Sequence, residues 1–179
     1  GVQTCALPIF ESYFVAQGRE WERYAWIKAR PVTGTDHAAA LRQAMAFQQQ
    51  GRLAEAERLC REVLKGAPSN PDALHFLGLL EAQQGRHESA LSLIDRAVVL
   101  NPGNAAAHYN KGNVLNSLAR REEALAAYDR ALKLKPDHIA AELHRAAILY
   151  QLERHTEALA SCDRALKFKP NHADALIHR

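Results

Sequence analysis

Four prolines, Pro68, Pro102, Pro136 and Pro170, stand 34 residues apart. An interval of that length constrains the fold more than any composition does, because it makes one supersecondary unit, repeated, the building block. Other columns align at the same period. Ala56, Ala90, Ala124 and Ala158 share a register, as do Ala44, Gly78, Gly112 and Ala146. Val63, Ala97, Ala131 and Ala165 form a third column, followed by Leu64, Val98, Leu132 and Leu166. Arg52, Arg86, Arg120 and Arg154 form another.

Within each period the pattern predicts two helices. In the third unit AAAHYNKGNVLNSLA (105–119) is the first and REEALAAYDRALKLK (121–135) the second. Leu125, Tyr128, Ala131 and Leu132 recur at helical steps and give the second helix one apolar face. PSN, PGN and PDH between units stop that helix, since proline cannot continue it. Gly51 and Gly85 suit the tight reversal inside the first two units. Ala119 and Glu153 replace them later, so those turns must fit a residue with a Cβ. Gly or Ala at 78, 112 and 146 lets the paired helices approach. The expected fold class is all-α, a solenoid of antiparallel helix pairs.

Charge and cysteine content narrow the function. The formal net charge of +3 is dispersed, with four basic and four acidic residues in the first 36 positions. That is no basic stripe, so nucleic acid is not an expected partner. No window of about 18 apolar residues exists, which argues against membrane insertion, and GVQTCALPIFESYF is a poor signal peptide. Cys5, Cys60 and Cys162 show no metal spacing and form no even set, which points to a reducing compartment, the cytoplasm. Cys60 and Cys162 share a packing register with Ile94 and Tyr128 and read as inert small hydrophobes. His75, His108, His144 and His178 lie on first helices at three different registers. Ligand nitrogens must gather within about 2 Å of a zinc ion, so no metal and no cofactor is expected. Lys133 and Lys135, like Lys167 and Lys169, close second helices, where they face the helix C-terminal charge or form a shallow basic ridge for an acidic partner.

These columns resemble the tetratricopeptide repeat, and the resemblance implies a right-handed superhelical solenoid. The resemblance covers residues 37–179: full units at 37–70, 71–104, 105–138 and 139–172, and a partial one at 173–179. It departs from the family pattern at Gln43 and Glu81, where large apolar residues are common, and at His108 and Glu142, where Trp or Leu is. A single helix pair cannot hide its apolar face, so stacking supplies the core. The chain is therefore expected to continue past Arg179. Unit four, left uncapped, would otherwise invite self-association.

The resemblance also implies a groove. First helices line the inner surface, and family ligand contacts come from the second, fifth, ninth and twelfth positions of a unit. These are Leu41 and Met45, then His75, Leu79 and Ala82. Unit three offers Ala106, Tyr109, Asn113 and Asn116, and unit four Leu143, Ala147 and Tyr150. Such a lining suits an extended peptide or a helix. Tyr109, Asn110, Asn113 and Asn116 form a polar run that reads either as partner contact or as a solvated face. Arg42, Lys111 and Arg145 do not reproduce the carboxylate clamp of the chaperone-binding subset. Asn110 alone matches the asparagine ladder of O-linked glycosyltransferases, which Arg42, Phe76 and His144 break.

The leading segment is different in kind. QGREWERYAWIKAR, residues 17–30, resembles a segment of bacterial glutamine synthetase adenylyltransferase/deadenylase, through Gln17 to Ala25 and Ile27 to Arg30. Glu20 and Glu22 point to different sides of a helix, and no Asp–x–Asp pair stands nearby to hold magnesium. Residues 11–36 therefore read as an isolated helix cut from such an enzyme, and residues 1–10 as a non-native or disordered leader. The chain begins at Gly1 and reads as a fragment or processed product, with no catalytic constellation. The expected function is a scaffold that binds an unknown protein or peptide in its groove. The alternative is a fragment of a larger transferase, either a repeat-linked protein glycosyltransferase or the adenylyltransferase, lacking its catalytic domain.

Overall fold

The computed structural model describes residues 34–170; the expectations for the leader, for most of residues 11–36 and for the partial fifth unit lie outside them. The described residues form eight helices in four antiparallel pairs. The pairs are α1 (Gly34–Gln49) with α2 (Leu53–Gly66), and α3 (Pro71–Gln83) with α4 (His87–Leu100). They continue with α5 (Ala105–Ser117) and α6 (Arg121–Leu134), then α7 (Ile139–Gln151) and α8 (His155–Phe168). Helix α1 reaches back to Gly34, ahead of the His37 boundary that the period suggests.

Each boundary has a local cause. The Asn70 and Asn104 side chains accept from the backbone N–H of Ala73 and Ala107, at 2.9 and 3.1 Å, and so cap α3 and α5. His138 takes the same place before α7, its Nδ1 accepting from Ala141 N at 3.3 Å. The four turns inside the pairs share one geometry. Gly51, Gly85, Ala119 and Glu153 all have positive φ. The next residue's N–H, on Arg52, Arg86, Arg120 or Arg154, donates at 2.9 Å to a carbonyl five residues back. This is the paired-bond closure that satisfies the last carbonyls of a helix. Ala119 and Glu153, both at φ 59°, thus accept a left-handed backbone that favours glycine rather than relaxing the turn.

The arginine column follows from these turns. Arg52, Arg120 and Arg154 each pair with a carboxylate three residues on, Glu55, Glu123 and Glu157. A carboxylate in the first turn also faces the positive end of the helix. In the second unit that position is Ser89, and Arg86 turns instead to Glu81 and Glu57.

The packing inside a pair turns on two registers. Cys60, Ile94, Tyr128 and Cys162, on second helices, are each fully buried. The first-helix residues sixteen positions earlier are Ala44, Gly78, Gly112 and Ala146. Glycine stands where the partner is large and alanine where it is a cysteine. A Cβ on Gly112 would lie 2.5 Å from the Tyr128 ring, and one on Gly78 2.6 Å from Ile94 Cγ1. Buried apolar side chains run through the array in two clusters, one around Leu41, Cys60 and Leu80 and one from Ala90 to Ala158. First helices of successive units, α3 with α5 and α5 with α7, approach more closely than second helices do. The stack therefore curves with the first helices on its inner side.

Candidate functional site

The inner surface is nearly free of charge. Among the described first-helix residues, Lys111 turns away to Asp95 at 2.7 Å and Arg145 to Asp129 at 2.6 Å. Glu81 and Glu142 are buried against arginines of the second-helix layer. Arg42 and Asp72 are the charges that line the groove, and both border one cavity. It holds about 530 Å3 between α1 and α3. Leu41, Met45, Phe76 and Leu79 give it apolar walls, and Gln48 and Gln49 a polar edge. Met45 is half exposed there, whereas Leu41 and Phe76 belong mainly to the core.

The middle of the groove is a knot of rings and amides. Tyr109 packs between His138, 4.6 Å away centre to centre, and His144, 5.5 Å away. Asn113 Oδ1 accepts from Tyr128 Oη at 2.7 Å and from His144 Nδ1 at 2.8 Å. An amide oxygen only accepts, so His144 carries its proton on Nδ1. Desolvation of the ring by its packed neighbours, helped by His138, holds His144 below the usual histidine range although the residue is exposed overall. His138 is lowered by burial and by Lys135. Asn110 Nδ2 donates to His75 Nε2 at 2.9 Å, and burial lowers His75 too, against the pull of Asp72. All three imidazoles are thereby biased towards the neutral form at neutral pH.

The structure sorts the twelve groove candidates. Met45, Ala106, Asn116, Ala147 and Tyr150 are exposed, and His75, Leu79, Ala82, Tyr109, Asn113 and Leu143 are partly so. Leu41 is buried and serves as cavity wall. The polar run in unit three divides: Asn110 and Asn113 are committed to internal bonds, and Asn116 faces outward. Tyr150, 68% exposed, ends the groove with its ring edge against His155. Sequence reasoning left His138, His144 and Tyr128 out of the groove, although they hold this centre together. The signal was present, since His144 follows Tyr109 by 35 residues just as Asn110 follows His75.

Behind the groove, the Cys60 and Cys162 thiols are buried. Burial pushes the Cys60 thiol up to about 12, which removes its nucleophilic form. No group of three or more His, Cys, Asp or Glu is gathered among the described residues, and no helix among them is long and apolar enough to cross a membrane.

Comparison with known proteins agrees with this architecture. The tetratricopeptide repeat profile matches residues 41–105, 88–137 and 109–173. The chain belongs to the tetratricopeptide repeat family. Among solved structures of that architecture, a mutant O-GlcNAc transferase from Thermobaculum terrenum is 37% identical, with a TM-score of 0.65. That match covers 72% of this chain and 26% of the transferase. YrrB, a repeat protein described as having an unusual peptide-binding site, superposes with a TM-score of 0.71 at 23% identity, over 92% of this chain and 86% of its own. MamA gives 0.73 at 20% identity, over 88% and 93%. Both show the fold alone.

Curated relatives match a short piece only. The bifunctional glutamine synthetase adenylyltransferase/adenylyl-removing enzyme of Ralstonia nicotianae is 58% identical over 45 residues. That of Chromobacterium violaceum is 71% identical over 24 residues. The chain spans 5% and 3% of these enzymes' lengths.

Proposed function

We propose that this chain is a protein-interaction module that holds an extended, weakly charged peptide segment in its inner groove. One observation carries the reading: an almost uncharged inner surface joins an apolar cavity of about 530 Å3 to a fixed centre of rings and amides. Charged side chains lie mostly on the second helices and between units, where they support solubility and stacking. A large apolar side chain of the partner enters between Met45 and Leu79, and its backbone runs past Tyr109 and Asn116 towards Tyr150. A rigid groove loses little freedom on binding, which favours affinity from a modest contact area. With Cys60 as a buried free thiol, the module suits a reducing compartment such as the cytoplasm.

The test is selection from a display library of random peptides on the whole chain, followed by fluorescence anisotropy with the selected sequences. Recovered peptides should have low net charge and one large apolar residue. Met45→Asp should weaken them about tenfold or more, because it places a charge in an apolar pocket. Tyr150→Ala should weaken them less. Binders that ignore both substitutions would refute the assignment.

A second reading draws on the 37% identity to the O-GlcNAc transferase: the array is the repeat arm of a larger transferase, and its groove selects that enzyme's protein substrates. Genomic sequence downstream of Arg179 tests it. A contiguous glycosyltransferase domain is the supporting result.

A further inference from the structure

On the side away from the groove, a cavity of about 600 Å3 opens between α6 and α8 with α7 as its floor. The corresponding place between α2 and α4 is filled by Leu74 and Leu77, both buried. One repeat later those positions carry His108 and Lys111, and in unit four Glu142 and Arg145. Among the described residues, this seam alone thus has a fully charged pair on its floor.

Both floor charges are neutralised internally. Arg145 donates to Asp129 Oδ1 and to Ser161 Oγ, each at 2.6 Å. Glu142, 3% exposed, accepts both arms of Arg164, at 2.6 and 2.9 Å. These bonds cross three helices and fix the walls. The cavity's two remaining cations, Lys133 and Lys167, are exposed and have no carboxylate partner among the described residues. They occupy equivalent positions on α6 and α8 and flank the opening. Between them lies apolar surface from Leu132, Pro136 and Phe168, the last 52% exposed. Four cations against two carboxylates leave the lining positive.

We propose that this outer cavity docks an acidic segment of a partner protein, one carrying an aromatic or long aliphatic side chain beside its carboxylates. The apolar side chain covers Phe168 and Leu132, and the flanking carboxylates pair with Lys133 and Lys167. A neutral apolar segment would leave both lysines facing a dry contact without partners, and a purely acidic one would leave Phe168 wet. The pairing of charge and apolar surface in one cavity selects for both together. The module then has two faces of opposite chemistry, a neutral inner groove and a basic outer seam, able to hold two different segments at once.

The probe is a fluorescein-labelled peptide with one Phe set among Asp and Glu, compared with a copy in which Asn and Gln replace the acids. Anisotropy with the whole chain should show saturable binding of the acidic peptide that weakens as salt rises. The neutral copy should bind about tenfold more weakly or worse, and the Lys133→Glu/Lys167→Glu double variant should lose affinity by a similar factor. The milder Lys133→Gln/Lys167→Gln pair should fall between, and circular dichroism should show all variants folded, since both lysines are exposed. Met45→Asp, on the opposite face, should leave the affinity for the acidic peptide unaltered while it weakens groove peptides. No saturable binding up to about 1 mM, equal affinity for the two peptides, or sensitivity to Met45→Asp instead of the lysines would each overturn the proposal. The first two of those results leave the inner groove's binding of its own segment untouched, whereas sensitivity to Met45→Asp would assign the acidic peptide to that groove.

Discussion

Adding one methyl group at Gly112 tests the packing rule of the whole array. A Cβ there would meet Tyr128 Cε1 at 2.5 Å, Cδ1 at 2.7 Å and Cζ at 2.9 Å. The ring has little freedom to yield, because it is fully buried and its hydroxyl is bonded to Asn113. Overpacking of a tight core costs about 1–3 kcal/mol, and three ring atoms inside contact distance place this case at the upper end. Stretching the Tyr128–Asn113 bond adds about 1 kcal/mol, and the better helix propensity of alanine returns about 1. Gly112→Ala should therefore destabilise by about 2–3 kcal/mol, a fall in Tm of roughly 10 °C for a domain of this size. Tyr128→Cys alone opens a cavity and should cost about 3–5 kcal/mol, as large-to-small core substitutions do. The double variant recreates the Ala–Cys pair that units one and four already use, Ala44 with Cys60 and Ala146 with Cys162. Its loss should be smaller than the sum of the single losses by about 2–3 kcal/mol, a coupling large for a contacting pair. Urea melts of the four proteins by circular dichroism measure the cycle. A neutral or stabilising Gly112→Ala, or strict additivity with Tyr128→Cys, would refute the reasoning.

Two further outcomes follow from the turns and from the buried carboxylates. Ala119→Gly and Glu153→Gly should each raise stability by about 0.5–1 kcal/mol, because the left-handed strain they relieve exceeds glycine's entropic penalty; a lower urea midpoint would contradict this. Glu81, 4% exposed, is held below the usual carboxylate range chiefly by its hydrogen bond from Arg86, against the opposing effect of burial. A depressed pKa contributes stability that is complete above the unfolded value of 4.5 and lost as pH falls through the folded one. Glu81→Gln should therefore cost about 1 kcal/mol near neutral pH and flatten the acid limb of a plot of Tm against pH. Parallel curves for the two proteins would rule that out. Glu55, Glu123 and Glu157 are lowered as well, but they are common to both proteins and cancel in the difference.

The 34-residue period made the helices legible because backbone closure repeats with it: capping side chains, left-handed turns and small residues at the crossings all recur in register. The groove was less legible because its bonds do not follow that register. His75 meets Asn110, Tyr109 meets His144, and Gln48 meets Gln83, each 35 residues apart. Inner side chains lean one position forward from unit to unit, so columns aligned at 34 separate the residues that touch. For the same reason Asn113 read as a free amide although its oxygen is already occupied twice. Glu81 and Glu142 stood out as polar residues in apolar positions, yet their partners, Arg86 in the turn that follows and Arg164 on the next helix, stand at different registers that the aligned columns do not connect to them.

Tyr128 links these two levels. A cysteine fills its position in units one and four and an isoleucine in unit two, so the core does not require a phenol there. What the phenol adds is a hydroxyl that passes from the packed layer into the groove and fixes Asn113, which in turn orients His144 beside Tyr109. The ring needs more room than cysteine does, and Gly112, opposite it, supplies that room at some loss of helix propensity. Unit three thus gives up local helix stability to anchor the middle of the inner surface from behind. An anchored centre presents the same donors and rings before and after a partner docks, and that is the property a binding groove gains from being built on repeats.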